Sequence, residues 1–204
     1  MLAIIDYGVG NLFSLKCSLE KIGCEAVVTD DPETIKNASH IILPGVGAFG
    51  DAVRKLNDTG LVGLIKSEAE SGKPFLGICL GMQLLFEKGY EYGEYDGLGL
   101  IKGKIVPLEG KIPENLNIPH IGWNGLEIKK ESRLLKYINN GDCVYFVHSF
   151  YADGCDDSVT ATAEYGIPVT ATVEKGNIFG CQFHPEKSGD VGIKILKAFC
   201  EIGE

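Results

Sequence analysis

Short apolar runs alternate with amphipathic stretches along the first half of the chain. The runs have the length and β-branched content of buried strands, and the stretches between them have the apolar spacing of helices. The predicted strands are residues 2–6, 25–29, 39–43 and 75–78. The predicted helices are residues 11–22, 32–36, 49–56, 61–71 and 80–87. This alternation predicts a parallel, doubly wound sheet.

The second half of the chain has a different pattern. Glycine and proline divide residues 99–127 into short predicted strands. Further predicted strands are residues 143–150, 159–164, 168–174 and 177–183, and predicted helices are residues 132–138 and 188–202. Strands joined by turns alone predict an antiparallel portion. The complete pattern predicts a three-layer α/β fold, with a mostly parallel central sheet flanked by helices, in a single domain over residues 1–204.

The junction between the 75–78 strand and the helix after it carries the strongest chemical signal. Gly77 and Gly81 flank Cys79 with one residue on each side, which is the thiol counterpart of the Gly-x-Ser-x-Gly nucleophile elbow. Free N–H groups at a helix start favour a thiolate and hold a developing oxyanion. We therefore predict that Cys79 is a nucleophile rather than a structural core cysteine.

A nucleophilic cysteine needs a base, and the base needs a group that orients it. Among the four histidines, His184 combines the end of an apolar strand with a nearby carboxylate, Glu186. We therefore predict a triad of Cys79, His184 and Glu186. Of the other three histidines, His40 is predicted to start a strand. His120 and His148 are predicted to be hydrogen-bonded interior side chains.

Composition and charge exclude several classes of function. The chain has 204 residues and a net charge of −9, with no basic stripe for a phosphate backbone, so we expect no nucleic-acid partner. It begins with an apolar strand instead of a signal sequence and has no run of membrane-spanning length, so we expect a cytoplasmic protein without a membrane partner. The Gly-x-Gly of residues 8–10 lacks the full dinucleotide spacing, which gives no reason to expect a nucleotide cofactor.

The seven cysteines are odd in number and scattered, which predicts neither a disulfide framework nor a structural zinc site. Cys143 and Cys181 lie in apolar runs and are predicted to be small core residues. Residues 89–96 form an acidic, aromatic stretch without periodicity, which we interpret as a solvated loop near the site.

Several segments, in order along nearly the whole chain, resemble a known family. Residues 77–83 (Gly-Ile-Cys-Leu-Gly-Met-Gln) and 183–186 (Phe-His-Pro-Glu) are similar to the triad segments of class I glutamine amidotransferases, which have a flavodoxin-like fold. The resemblance extends to the glutaminase subunits of imidazole glycerol phosphate synthases through residues 6–11, 43–49, 120–124 and 184–188.

This resemblance implies hydrolysis of L-glutamine without a cofactor or metal, and delivery of the ammonia to a partner. The implied partner is a (β/α)8-barrel cyclase subunit, which makes imidazole glycerol phosphate and an aminoimidazole carboxamide ribonucleotide. The implied oxyanion-hole residues are Val46, Gly47 and Leu80, and the implied glutamine contacts are Gln83, Ser149 and Phe150. The implied partner contacts are Asn11, Trp123, Asn124, Tyr145 and Lys187, with a helix cap as the alternative role for Asn11.

Three other functions are compatible with the triad. A glutaminase that serves another synthase has the same triad but lacks the segments around Asn11 and Trp123. A thiol hydrolase acting on peptides or γ-glutamyl chains turns over its substrate without a synthase. A regulatory module with a vestigial triad has no turnover at all.

Overall fold

The computed structural model describes residues 1–203 and confirms the α/β prediction. The strands are β1 (Leu2–Ile5), β2 (Ala26–Thr29), β3 (His40–Leu43), β4 (Phe75–Ile78), β5 (Lys88–Gly89), β6 (Tyr95–Asp96), β7 (Lys104–Pro107), β8 (His120–Ile128), β9 (Cys143–His148), β10 (Phe150–Asp153), β11 (Val159–Glu164), β12 (Pro168–Lys175) and β13 (Ile178–Cys181). The helices are α1 (Leu12–Lys21), α2 (Pro32–Asn37), α3 (Phe49–Asp58), α4 (Val62–Glu70), α5 (Leu80–Leu84) and α6 (Gly189–Cys200).

The main sheet has the order β2-β1-β3-β4-β13-β12-β11-β8-β9. Its β2-to-β13 portion is parallel, and every pairing from β13 to β9 is antiparallel. Strands β1, β3, β4 and β13 are buried along their whole length, as expected for apolar strands covered on both faces. Because the pairings between β13 and β9 reverse direction an even number of times, the carboxyl ends of β9 and β13 lie at the same edge.

Helices cover both faces of the sheet. On one face, Leu15 and Leu19 of α1 pack in a cluster with Ile195 and Phe199 of α6. On the other face, α2, α3 and α4 contribute to a second cluster. A small second sheet, with the order β10-β7-β5-β6, contributes Ile105 and Ala152 to that second cluster. Within residues 1–203, no helix is both long and apolar enough to cross a membrane.

The structure corrects several details of the sequence predictions. The helix after Cys79 ends at Leu84 instead of residue 87. The predicted helix at 132–138 is a 3₁₀ turn, Arg133–Leu135, and the 143–150 strand divides at Ser149 into β9 and β10. Cys143 is exposed, so its prediction as a core residue is wrong, whereas Cys181 is buried as predicted. The error arises because alternation along β9 turns Val144 and Phe146 inward and Cys143 outward.

Candidate active site

Cys79 occupies a sharp turn between β4 and α5. Its φ of +54° is in the left-handed region, which a residue with a side chain rarely adopts. Its backbone N–H donates to the Cys181 carbonyl at 2.8 Å, and its own carbonyl accepts from the Gln83 N–H at 3.1 Å. A Cβ on Gly81 would lie 1.8 Å from the Leu43 carbonyl oxygen, so this position requires glycine. These contacts fix the nucleophile elbow between β3 and β13.

The His184 imidazole lies against the Glu186 carboxylate behind the elbow. His184 Nδ1 is 2.9 Å from Glu186 Oε1, and each side chain is only 3% exposed. The backbone of His184 is tied to β9, since its N–H donates to the Tyr145 carbonyl at 3.1 Å. Ser188 adds a second tie, because its Oγ donates to the His184 carbonyl and accepts from the Tyr145 N–H. The imidazole is therefore held in one orientation by neighbours on β9 and on the turn before α6.

Electrostatics make His184 a cation at neutral pH. Burial by itself lowers the pKa of this imidazole, but contacts with Cys79 and Glu186 outweigh burial and raise the pKa above its ordinary value of 6.5. Glu186 Oε2 is buried and finds no hydrogen-bond partner within residues 1–203, so its charge is directed mainly at His184. The arrangement places an imidazolium, backed by the Glu186 side chain, beside the Cys79 sulfur.

Predicted residues from four separate segments meet around one cavity of about 350 Å³. The predicted catalytic, oxyanion and glutamine-binding residues in its lining are Cys79, His184, Val46, Gly47, Leu80, Gln83, Ser149 and Phe150. Glu186 stands behind His184, outside the lining. A larger cavity of about 660 Å³ lies beside the Arg133–Leu135 turn and α6, and none of the predicted site residues line it.

The loop after β3 is anchored by packing and a hydrogen bond at its start and is exposed to solvent at its tip. The Tyr7 hydroxyl donates to the Pro44 carbonyl at 2.7 Å, and burial raises the pKa of Tyr7, which keeps the hydroxyl a donor. A Cβ on Gly45 would lie 2.6 Å from that hydroxyl oxygen. Beyond this point Val46 is 41% exposed and Gly47 has φ +97°. The anchored start brings the Val46 and Gly47 backbone to the edge of the cavity.

Two polar residues that sequence reasoning missed lie in this region. The Glu91 carboxylate lines the cavity and accepts from the Phe49 N–H at 2.7 Å, and burial raises its pKa. Residue 91 therefore departs from the expectation of a wholly solvated loop. Gln182 Nε2 points at Cys79 Sγ, 3.7 Å away, and its Oε1 accepts from Gln83 Nε2 at 3.0 Å. A glutamine inside the apolar run before His184 was the available signal.

The predicted partner contacts have different surroundings. Trp123 is 56% exposed, and its ring meets the Tyr145 ring at 6.0 Å between centroids. Lys187 lines the cavity. Asn124 is half-buried and bonded to His120 and to the Glu164 carbonyl. Asn11 is the N-cap residue of α1, as predicted, and its carbonyl accepts from the Leu15 N–H at 3.1 Å, but its side chain makes no capping hydrogen bond within the described chain.

Comparison with known proteins gives consistent matches. The sequence profile described as "Glutamine amidotransferase class-I" matches residues 3–202. "Imidazole glycerol phosphate synthase subunit HisH" of Caldanaerobacter subterraneus subsp. tengcongensis is 55% identical, over 99% of this chain and 98% of its own length. The HisH subunit of Aquifex aeolicus is 50% identical, over 96% of this chain and 94% of its own.

Solved structures with lower sequence identity have the same fold. A structure described as a glutamine amidotransferase has a TM-score of 0.74 at 18% identity, over 97% of this chain and 98% of its own. PurLQS from Thermotoga maritima also gives 0.74, at 24% identity, over 97% of this chain and 96% of that one.

The family match and the whole-length relatives lead to one assignment. The chain belongs to the class-I glutamine amidotransferases and, within them, to the family of HisH subunits of imidazole glycerol phosphate synthase.

Proposed function

We propose that this chain hydrolyses L-glutamine at Cys79 and delivers the ammonia to a cyclase subunit in histidine biosynthesis. The observation that carries the proposal is the cavity in which Cys79 meets His184, with Glu186 bonded behind it. Membership of the HisH family supports the same substrate and the same partner. Membership of this family also disfavours the three alternative functions, which are a glutaminase of another synthase, a peptide hydrolase and a vestigial module.

The first half of the reaction uses the thiolate and the backbone amides. The Cys79 thiolate attacks the side-chain amide carbon of glutamine, and negative charge develops on the amide oxygen. The amides of Leu80 and of the Val46–Gly47 loop are the donors for this oxyanion, because both line the cavity beside Cys79. The raised pKa of His184 keeps a proton on the imidazole at neutral pH, and this proton passes to the departing ammonia.

The second half of the reaction regenerates the enzyme. His184, now neutral and still oriented by Glu186, removes a proton from water as the water attacks the thioester. Glutamate then leaves and the thiolate is restored. Ammonia released into water at neutral pH becomes protonated and is no longer a nucleophile, so the product has to pass directly to the partner's site.

Glutamine has an α-ammonium and an α-carboxylate that also need partners. Glu91 is a suitable partner for the ammonium, because its carboxylate lies in the cavity lining. Gln83 uses Nε2 to donate to the Phe150 carbonyl and to Gln182, so its Oε1 remains an acceptor for substrate. Backbone groups of Ser149 and Phe150 complete the contacts at the end of β9.

The partner is a cyclase with a (β/α)8-barrel, and it docks on the face that carries exposed apolar side chains of β8. Ile121 and Trp123 point outward there and are 57% and 56% exposed. Asn11, Tyr145 and Lys187 extend this docking face. Exposed apolar side chains close to an active site favour a protein partner. We also propose that residues 1–204 form one domain and that the protein is cytoplasmic.

The proposed function predicts glutamate release that depends on both Cys79 and the partner. We expect the purified chain to release glutamate strongly when a histidine-pathway cyclase and its ligand are added. Cys79→Ala lowers this release by at least about a thousandfold, because the nucleophile is absent. Cys17→Ala, at an exposed cysteine, is the matched control and keeps wild-type release. Release by Cys79→Ala at the control rate would contradict the proposal.

The charge on His184 predicts a shift in the pH profile. A raised pKa means that the imidazolium persists above pH 6.5 and is lost as the pH rises through the higher folded value. Glu186→Gln removes one of the contacts that raise this pKa, so the alkaline limb of kcat/KM moves to lower pH.

The measurement is kcat/KM for glutamate release between about pH 5 and pH 11, so that the range extends past the pKa of His184, which is raised to about 10. Glu201→Gln, at a surface carboxylate paired with Lys136, serves as the control and leaves the limb in place. An alkaline limb at the same pH in Glu186→Gln and in the wild type would be the contrary result.

The position of Glu91 predicts a specific effect on glutamine binding. Glu91→Gln removes the charge opposite the α-ammonium and raises KM for glutamine by about tenfold or more, with a smaller change in kcat. Glu94→Gln, at an exposed carboxylate of the same loop that pairs with Lys88, leaves KM unchanged. The measurement is the KM for glutamine of both variants by steady-state kinetics. A KM for Glu91→Gln equal to that of Glu94→Gln would exclude Glu91 from the substrate site.

A further inference from the structure

A chain of imidazole nitrogens runs from Asn124 on β8 to the wall of the glutamine cavity. His120 Nε2 lies 2.8 Å from Asn124 Oδ1, and His120 Nδ1 lies 3.0 Å from His148 Nε2. His148 Nδ1 lies 2.8 Å from the Phe150 carbonyl oxygen. Both imidazoles are buried, as the sequence predicted. The chain therefore joins a half-buried amide on β8 to a carbonyl at the wall of the cavity.

Each of these three contacts needs one hydrogen. The Phe150 carbonyl accepts only, so it requires a hydrogen on His148 Nδ1. Asn124 donates from Nδ2 to the Glu164 carbonyl at 3.0 Å, which points Oδ1 at His120 and requires a hydrogen on His120 Nε2. Two neutral imidazoles carry two hydrogens, so the nitrogens facing each other at 3.0 Å are then both acceptors. The chain is one hydrogen short.

An additional proton on His120 Nδ1 or His148 Nε2 would complete the contact between the two rings, but it would give a buried imidazole a positive charge. Burial lowers the pKa of His120, and it lowers the pKa of His148 to about 3, with the charges of His120 and His184 adding to the effect. The other rings packed on His120 are the uncharged Tyr165 and Phe146, with 3.8 and 4.9 Å between centroids. At neutral pH both imidazoles are neutral, and the Phe150 carbonyl competes with His120 Nδ1 for the single hydrogen of His148.

We propose that His148 is a positioning residue that holds the Phe150 carbonyl, and that the amide orientation of Asn124, acting through His120, determines whether it does so. If the amide turns over, Asn124 Nδ2 donates to His120 Nε2, and His120 donates from Nδ1 to His148. His148 then donates from Nδ1 to Phe150 without competition, and all three contacts are made. The turn gives up the Asn124 bond to Glu164.

The inference rests on the proposed function, because the proposed function assigns the Phe150 carbonyl to the glutamine site. That carbonyl also accepts from Gln83 Nε2 at 3.2 Å, so it links β10 to the side chain one turn beyond Cys79. Along β8 the Asn124 side chain shares a face with His120, opposite the face that carries Ile121 and Trp123.

Two substitutions at His148 separate this role from simple packing. His148→Asn keeps an N–H near the position of Nδ1 and loses the group facing His120. His148→Gln keeps a group near Nε2 and loses the donor to Phe150. We expect His148→Gln to raise KM for glutamine about tenfold, the effect of one lost hydrogen bond, while His148→Asn stays within about threefold of wild type. In both variants kcat changes less than KM.

His40→Asn is the control, because His40 is a buried, hydrogen-bonded histidine at the start of β3, away from the cavity. Equal KM values in the Asn and Gln variants of His148 would overturn the positioning role. The failure of the proposed function gives a different result, since the wild-type chain then releases no glutamate even with the cyclase.

The role of Asn124 is tested by ¹⁵N NMR of the histidine rings in the free chain, which needs no turnover. In the wild type we expect His120 to carry its hydrogen on Nε2. In Asn124→Ala no acceptor oxygen faces His120 Nε2. We therefore expect both His120 and His148 to carry their ring hydrogen on Nδ1. The same His120 tautomer in both proteins, or a doubly protonated ring in the wild type at neutral pH, would overturn the inference.

Discussion

The left-handed backbone of Cys79 is the constraint on which the site depends. A residue with a side chain at positive φ costs on the order of 1–3 kcal/mol, which the surrounding structure has to offset. The offset comes from hydrogen bonds to Cys181 and Gln83 and from the close packing of Gly81 on the end of β3. The same packing that strains Cys79 also brings the loop after β3 beside its thiol.

Strand direction supplies the rest of the arrangement. Cys79 follows β4, the Val46–Gly47 loop follows β3, and His184 follows β13, all at the carboxyl edge of parallel strands. Sites of doubly wound sheets form at this edge. The antiparallel extension returns β9 to the same direction, so Ser149 and Phe150 arrive at the same cavity. Residues far apart in sequence thus meet because their strands end together.

The sequence predicted much of this arrangement, for identifiable reasons. The apolar runs of β1, β3 and β4 predict strands within about one residue at each end, because buried parallel strands need continuous apolar side chains. The proposed triad is recognisable in the sequence because the elbow and the His184 strand end each occupy a contiguous motif. Both interior histidines, His120 and His148, are buried and bonded as expected.

Other features depend on tertiary contacts that no local pattern encodes. The helix after Cys79 stops at Leu84, where the Leu84 and Leu85 carbonyls accept from the N–H groups of Leu98 and Leu100 instead of from a further helical turn. Glu91 enters the cavity through a bond to the start of α3, which the acidic composition of its loop does not reveal. The shortage of one hydrogen between His120 and His148 becomes visible only when β8 and β9 are paired.

The central claim is that Cys79 is the nucleophile that attacks glutamine. The most direct measurement is labelling with a halomethyl ketone analogue of glutamine, followed by peptide mass spectrometry of all seven cysteines. If Cys79 is the nucleophile, we expect one label per chain, on Cys79, together with loss of turnover. We also expect L-glutamine to slow this labelling. Labelling of another cysteine such as Cys181 in parallel with the loss of turnover, or labelling that glutamine does not slow, would contradict it.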